Sequence, residues 1–483
     1  MNVSNKRWSN DYFYKQRHEV LSMWPTGKEV DLKDAFKYHH GMPPLKNASN
    51  KAMEALRTGK TMMCPSTGKD TIEAHRGLLQ YMQNEAKVEF VTTYIDSLTR
   101  NCKFEIASQE LKKAMDTGNP RLNGFPVVEH GVKGNREIIN ALNIPVLLFG
   151  PTPDARLTHE IGLAGGHTGY SGGPLISFWN YTKNVPVEQI IHNFQYINRL
   201  MGHYEEHGVP MLYCVSGAMP ATSPPSLMLA PEIIEVLIAA EQGVKHMQLN
   251  CWVQGHFAQD LGMIVTFRKL AREYLDRFGY NDVKLTTYCV SPTGRFPLEQ
   301  DQVYGLISYY SVLAVLGQVQ VVGSRTIDEA HHIPTKHGTA HSFRCAGMAI
   351  NMLQAQHFNV LDNADVRQEA YYTEIETRAM LEKVLQLGNN DIVVGTAAAI
   401  AEGVLDQPYS TSQLVKSKVM GVKDATGAAR FYDFGNLPFD AEIREFHRSK
   451  IAEREKVIGK KVDYDIVVKD LTAVSDGAIL PIL

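Results

Sequence analysis

Between about residues 60 and 400 the chain alternates two hydrophobic patterns. Short, nearly unbroken apolar runs read as strands buried on both faces. They are TMMCP (61–65), VEFVTTYI (88–95), FPVVEHG (125–131), PVLLFG (145–150) and PLISFW (174–179), then PMLYCV (210–215), MQLNCWV (247–253), KLTTYCV (284–290) and VQVVGS (319–324). Between them lie longer segments with apolar residues at helical spacing, such as 186–208 and 257–279, each ending in glycine as helix C-termini often do. Residues 302–324 carry no charge. Glycines and glutamines interrupt that stretch, so it reads as a buried helix, a turn at Gly317 and a strand rather than a membrane span.

Strand–helix alternation with both strand faces apolar predicts an α/β fold with a parallel sheet. Roughly eight such units suit a (β/α)₈ barrel. The segment 1–60 reads as an N-terminal helical extension, 61–406 as the barrel and 407–483 as a small α+β cap. In the cap, ARFYDFGNLPF (429–439) and YDIVVKDL (464–471) read as short strands around a charged helix at 440–456. No dinucleotide-binding G-x-G-x-x-G follows the first strand, and no Walker A sequence occurs.

A net charge of −3 without a long basic run argues against a nucleic-acid partner. The start, MNVSNKRWSNDYF, lacks the apolar core of a secretory signal. Six scattered cysteines without a C-x-x-C pair suit reduced thiols and a cytoplasmic location.

Two motifs compete for a catalytic reading. Gly169-Tyr170-Ser171-Gly172-Gly173 matches G-x-S-x-G, which in a hydrolase places a serine between a strand and a helix. Here 155–166 reads as helix and PLISFW as strand, the reverse order, so Ser171 is not expected to be an elbow nucleophile. EAHHIPTKHGTAH gathers Glu329, His331, His332, His337 and His341, and the last two could share a helix face as zinc ligands do. Pro334 divides that cluster and no cysteine joins it.

The chain resembles the catalytic ε subunit of glutamate mutase. The likeness is carried by WPTGKEVDL (24–32), YIDSLTR (94–100), LNGFP (122–126) and TPDARL (152–157), and by AAEQGVK (239–245), GYNDV (279–283), IPTK (333–336) and FGNLPF (434–439). The resemblance implies a (β/α)₈ barrel performing an adenosylcobalamin-dependent radical rearrangement of a carbon skeleton. It also implies a separate small σ subunit bearing D-x-H-x-x-G, a motif this chain lacks, and a heterotetramer built on a homodimer of this chain. On the cofactor side the family positions correspond to Gly68, Asn123, Phe296, Glu329 and Ile333. Arg325 replaces the family's lysine, and Asn180 replaces a proline.

On the substrate side the correspondence breaks down. The family grips glutamate with three arginines, of which only Arg100 remains; Ser66 and Phe149 hold the other two positions. Gly150 replaces a substrate-binding histidine and Ser177 a tyrosine, while Tyr181 is kept. Ser171 stands where the family has a glutamate that meets the substrate amine. The resemblance with these losses implies a mutase whose substrate is a small monocarboxylate or a non-acidic amino acid rather than glutamate. Two other classes remain open at this point: a non-catalytic paralogue that binds cobalamin or σ, and a metal-dependent barrel hydrolase using the histidines.

Overall fold

The computed structural model describes residues 3–217, 222–292, 294–356 and 358–481. Its parallel sheet runs from β1, in two pieces (Met62–Met63 and Ser66–Thr67), through β2 (Val91–Tyr94), β3 (Val146–Phe149) and β4 (Gly169–Ser171). It continues through β5 (Leu212–Cys214), β6 (His246–Trp252), β7 (Lys284–Val290) and β8 (Val321–Val322). The first piece of β1 pairs with β8 and the second with β2, so the sheet closes on itself. Counting the broken strand once gives eight parallel strands, the expected (β/α)₈ barrel.

Three expected strands are helical. FPVVEHG belongs to the helix Val127–Asn140, and Phe125 alone bridges to Ile95. Its β-branched pair resembles a strand, but β2 pairs directly with β3 and leaves no place for another strand. PLISFW is the helix Pro174–Asn180, with Pro174 at its first position and apolar residues all round because every side is buried. YDIVVKDL is the helix Tyr464–Thr472, started by the Asp463 side chain, which accepts the Ile466 N–H, and buried through Ile466, Val467 and Asp470. The cap's real hairpin is β9 (Val419–Lys423) with β10 (Ala429–Phe434), followed by the charged helix Ala441–Ile458.

The residues before the barrel form the helices Asn10–Leu21, Leu32–His40 and Ala48–Thr58. The last of these places Ala48, Ala52 and Ala55 against Met62, Phe90, Leu147 and Leu212, at or beside the N-terminal ends of the strands. Alanines at that spacing give a flat, narrow face that lets the helix plug the floor of the barrel. That packing closes the N-terminal end and leaves access from the C-terminal mouth, where barrel active sites sit. The stretch without charge from 302 to 324 forms most of the helix Gln300–Leu316, a turn and β8. Among the described residues no helix is long and apolar enough to cross a membrane. The six cysteines are unpaired.

Candidate active site

The C-terminal ends of the strands converge on a cavity of about 450 Å³. Its upper wall carries Ser66, Thr67, Tyr94, Phe149, Ser171 and Cys214, followed by Trp252, Val290 and the Ser324–Thr326 segment after β8. Its lower wall is Cys64, Phe90, Leu147, Gln248, Tyr288 and Val321. Burial pushes the Cys64 thiol up to about 12 and raises the Cys214 thiol and the Tyr288 phenol well above their usual ranges. The lower cavity is therefore neutral across the physiological range.

Charge gathers at the top. Arg325 and Glu329 line the cavity with their charged groups 3.7 Å apart, too far for a tight pair. The Arg325 guanidinium lies 5.6 Å from the centre of the Phe296 ring and donates to the Gly294 carbonyl at 2.8 Å. Gly68, Asn123 and Ile333 line the same wall, and the Asn123 side-chain oxygen accepts the Ser97 N–H at 2.9 Å.

Arg100 ends the short helix Ser97–Arg100 that follows β2. The two acids closest to hand, Asp96 and Asp154, are already engaged. Asp96 caps that helix through the Leu98 and Thr99 N–H groups at 2.8 and 3.0 Å, and Asp154 takes a two-pronged pair from Arg156 at 2.9 and 2.7 Å. Among the described residues Arg100 makes no ion pair, and its buried Nε has no partner. Its guanidinium lies 5.2 Å from the Tyr94 ring centre and 6.0 Å from that of Tyr181, both of which line the cavity. Aromatic faces hold the cation in place without neutralising it. The result is a positioned, unpaired guanidinium directly behind the Tyr94 and Tyr181 side of the cavity wall.

A family model described as "Methylaspartate mutase E chain (MutE)" matches residues 42–481. Relatives named "Glutamate mutase epsilon subunit" align over 99% of this chain and 99% of their own length. They are 37% identical in Treponema denticola, 37% in Desulfitobacterium hafniense and 34% in Escherichia coli O157:H7. The chain belongs to the methylaspartate mutase E chain family. It is accordingly an isomerase of the mutase type, as the resemblance implied.

In this E-chain barrel Ser171 ends β4, and two glycines lead into the helix Pro174–Asn180. That order is strand–turn–helix, so the reversed order expected from the sequence does not hold. What the serine lacks is a base: among the described residues no histidine lines the cavity, and Ser171 lies against the Cys214 thiol. The turn is shaped by a buried carboxyl instead. Glu235 accepts the Leu175 N–H at 2.8 Å and the Ser216 N–H at 3.1 Å, and a Cβ at Gly173 would stand 2.0 Å from its Oε2. Burial holds the Glu235 carboxyl well above its usual range.

Five predicted residues stand behind the cavity wall rather than in it: Arg100, Gly150, Ser177, Asn180 and Phe296. Ser177 is buried, and its hydroxyl accepts the Thr152 N–H at 3.1 Å. The Asn180 side-chain oxygen is buried without a partner. Two residues close in sequence to Ser66 and Ser171 do not line the cavity. Lys69 lines an adjoining outer cleft that shares Gly68, Asn123 and Ile333 with the cavity, and His167 is buried against Asn135 at 3.1 Å with its imidazole pushed down to about 3.

The histidine cluster is dispersed. His337 meets the Tyr81 hydroxyl at 3.0 Å, His331 the Leu298 carbonyl at 2.9 Å and His332 the Ile333 carbonyl at 3.0 Å. Among the described residues no three metal-ligating side chains come together. Sequence reasoning missed Gln248, Asn250 and Trp252. Their signal was present in MQLNCWV, where alternate positions of an otherwise buried strand carry hydrogen-bonding groups.

Proposed function

We propose that this chain is the catalytic subunit of an adenosylcobalamin-dependent carbon-skeleton mutase. Its substrate is a small monocarboxylate or non-acidic amino acid, not glutamate. The observation that carries this reading is Arg100: one unpaired, aromatic-braced guanidinium beside a cavity whose deeper walls are neutral. Arg100 pairs with the substrate carboxylate, and the Tyr181 phenol, which burial keeps protonated, orients it by hydrogen bonding.

Bonds to a charged group contribute about 1.5–3 kcal/mol each, so serine and phenylalanine in place of two arginines weaken dicarboxylate binding by several kcal/mol. Phe149 desolvates a second carboxylate without pairing it.

The donor set at the mouth fits an adenosyl group. Arg325 donates and Glu329 accepts, and their loose 3.7 Å approach leaves both with capacity for the hydroxyls of a ribose. Gly68, Asn123, Ile333 and, behind Arg325, Phe296 complete that seat, with Asn180 on the adjoining helix. When bound, adenosylcobalamin supplies the carbon-centred radical that removes and returns a substrate hydrogen. The chain's own part is to fix the carboxylate, hold the reacting carbons among neutral walls and keep water out.

The cobalt-ligating histidine comes from a separate σ-type subunit bearing D-x-H-x-x-G. A homodimer of this chain forms the core of a cytoplasmic heterotetramer, and residues 1–60, 61–406 and 407–483 serve as extension, catalytic barrel and cap. The exposed Leu298 and Ile333 give the mouth an apolar rim for that partner. The test is a coupled assay with σ and adenosylcobalamin. Glutamate is expected to turn over poorly and a non-acidic analogue faster; glutamate turnover at the rate of a glutamate mutase overturns the reading.

A further inference from the structure

The helix Ala48–Thr58 closes the N-terminal end of the barrel. The adenosyl seat, with Arg325 and Glu329, lies at the other end, over a cavity of about 450 Å³. With that seat filled, both ends of the barrel axis are shut. A substrate then enters and leaves either by displacing the cofactor at every turnover or by a way through the side.

The structure has such a way. An outer cleft of about 1210 Å³ adjoins the cavity, and Gly68, Asn123, Ile333 and Pro334 line both spaces. Neither Arg325 nor Glu329 lines the cleft, so it lies to the outer side of the seat's rim. One side of the neck between the two spaces is fixed. A Cβ at Gly68 would stand 2.5 Å from the Tyr94 carbonyl oxygen, and the Asn123 side-chain oxygen is held by the Ser97 N–H at 2.9 Å. The other side is Ile333 with Pro334, and the Ile333 side chain stands exposed.

The cleft offers cations that are free to meet an anion. Lys69 and Lys336 line it and form no salt bridge among the described residues; Lys336 lies over the Tyr81 ring at 5.3 Å. Two of its acids are engaged. The Asp70 carboxylate accepts the Arg121 N–H at 2.7 Å, and Glu137 pairs with Arg76 at 2.7 Å. Glu73 alone is left to oppose the two lysines. Free cations in a cleft raise the local concentration of small anions and their rate of entry.

We propose that this cleft is the passage by which the carboxylate substrate enters and leaves while the cofactor occupies the mouth. This rests on the reading of the mouth as the adenosyl seat.

A thiol placed inside the cavity tests it. Ser66 lines the cavity and is exposed there. Ser66→Cys, located by peptide fragmentation, reports the arrival of iodoacetate, a small carboxylate, or of neutral iodoacetamide. The neighbouring Cys64 thiol, pushed up to about 12 by burial, stays protonated and slow to react. Ala74 and Gly77 stand one turn apart on the helix Ile72–Tyr81 and line the cleft. A Cβ at Gly77 meets nothing within 4 Å, so Gly77→Trp, like Ala74→Trp, fills the cleft without crowding the core.

In the chain alone, whose mouth is open, the tryptophan variants should be alkylated as fast as Ser66→Cys by itself. With σ and adenosylcobalamin bound, Ser66→Cys should still react, and either tryptophan should slow it about tenfold because the reagent must wait for the ring to move. In that assembly Lys69→Glu with Lys336→Glu should slow iodoacetate about tenfold at low salt and leave iodoacetamide unchanged. Alkylation that stops altogether on assembly overturns the passage and leaves the seat standing. So does alkylation that assembly slows while the tryptophans change nothing further. A rate untouched by assembly and by the tryptophans overturns the seat, and the passage with it.

Discussion

Gly150 leaves the space that the Arg100 side chain fills. A Cβ at position 150 would stand 2.8 Å from Arg100 Cδ and 3.2 Å from Cγ. Gly150 thus lets the Arg100 side chain lie back against Tyr94 and Tyr181.

Gly150→Ala should therefore displace Arg100 and disturb Ile95, whose Cβ lies 3.2 Å from the added atom. Overpacking of this kind destabilises by about 1–3 kcal/mol. Carboxylate binding should fall by more than the loss of stability suggests, because the anchor itself moves. Parallel thermal melts and ligand titrations on the purified variant check this.

Arg100→Met should leave the melting temperature nearly unchanged, since no ion pair is broken. Carboxylate affinity should fall by about 1.5–3 kcal/mol, the contribution of bonds to a charged group. Arg100→Lys should recover only part of it, because a point charge cannot form the guanidinium's fork. A large drop in melting temperature with unchanged affinity would make Arg100 structural.

Glu129 provides a pH signature close to the anchor. Its carboxyl accepts the Thr99 hydroxyl at 2.9 Å, its other oxygen has no partner, and burial raises its pKa to about 8. In the unfolded chain the group titrates near its ordinary value of 4.5. The folded state holds the proton more tightly, so this contribution to stability is complete below 4.5 and is lost as pH rises to about 8. Glu129→Gln should flatten the decline in melting temperature over that range; a decline as steep as in the parent chain would rule Glu129 out as its source.

Gly173→Ala places a methyl 2.0 Å from the Glu235 carboxyl, which holds the helix start through the Leu175 N–H and ties it to the Ser216 N–H after β5. The expected loss is about 3 kcal/mol, at the upper end for overpacking, because neither backbone nor buried carboxyl can retreat easily. Denaturant unfolding measures it. Ser171→Ala in the same turn should be nearly neutral for stability and abolish no hydrolytic activity.

The glycine-rich turn also shows where sequence reasoning stops. PLISFW has six residues, apolar on every side. A short run with that composition has no periodicity to separate a strand from a helix buried all round. Only the closed pairing of β4 and β5 reveals that the sheet has no room for it. The same holds for VVEHG, where β-branched residues suggested a strand and the direct β2–β3 pairing excluded one. By contrast, the helices 187–206 and 257–277 were legible because their length displays the period and glycine marks their ends.

By itself the sequence determined the alternation of strands and helices, hence the barrel, and through its motifs the family. These follow from local periodicity and from residue identity, which need no folding to be read. Only the tertiary structure decided that Arg100 has no acidic partner among the described residues, that Lys69 and His167 do not line the cavity, and that β6 with Asn250 and Trp252 stands across the barrel from β2. Those facts depend on which residues far apart in the chain are brought together when the sheet closes, and no local pattern encodes that distance.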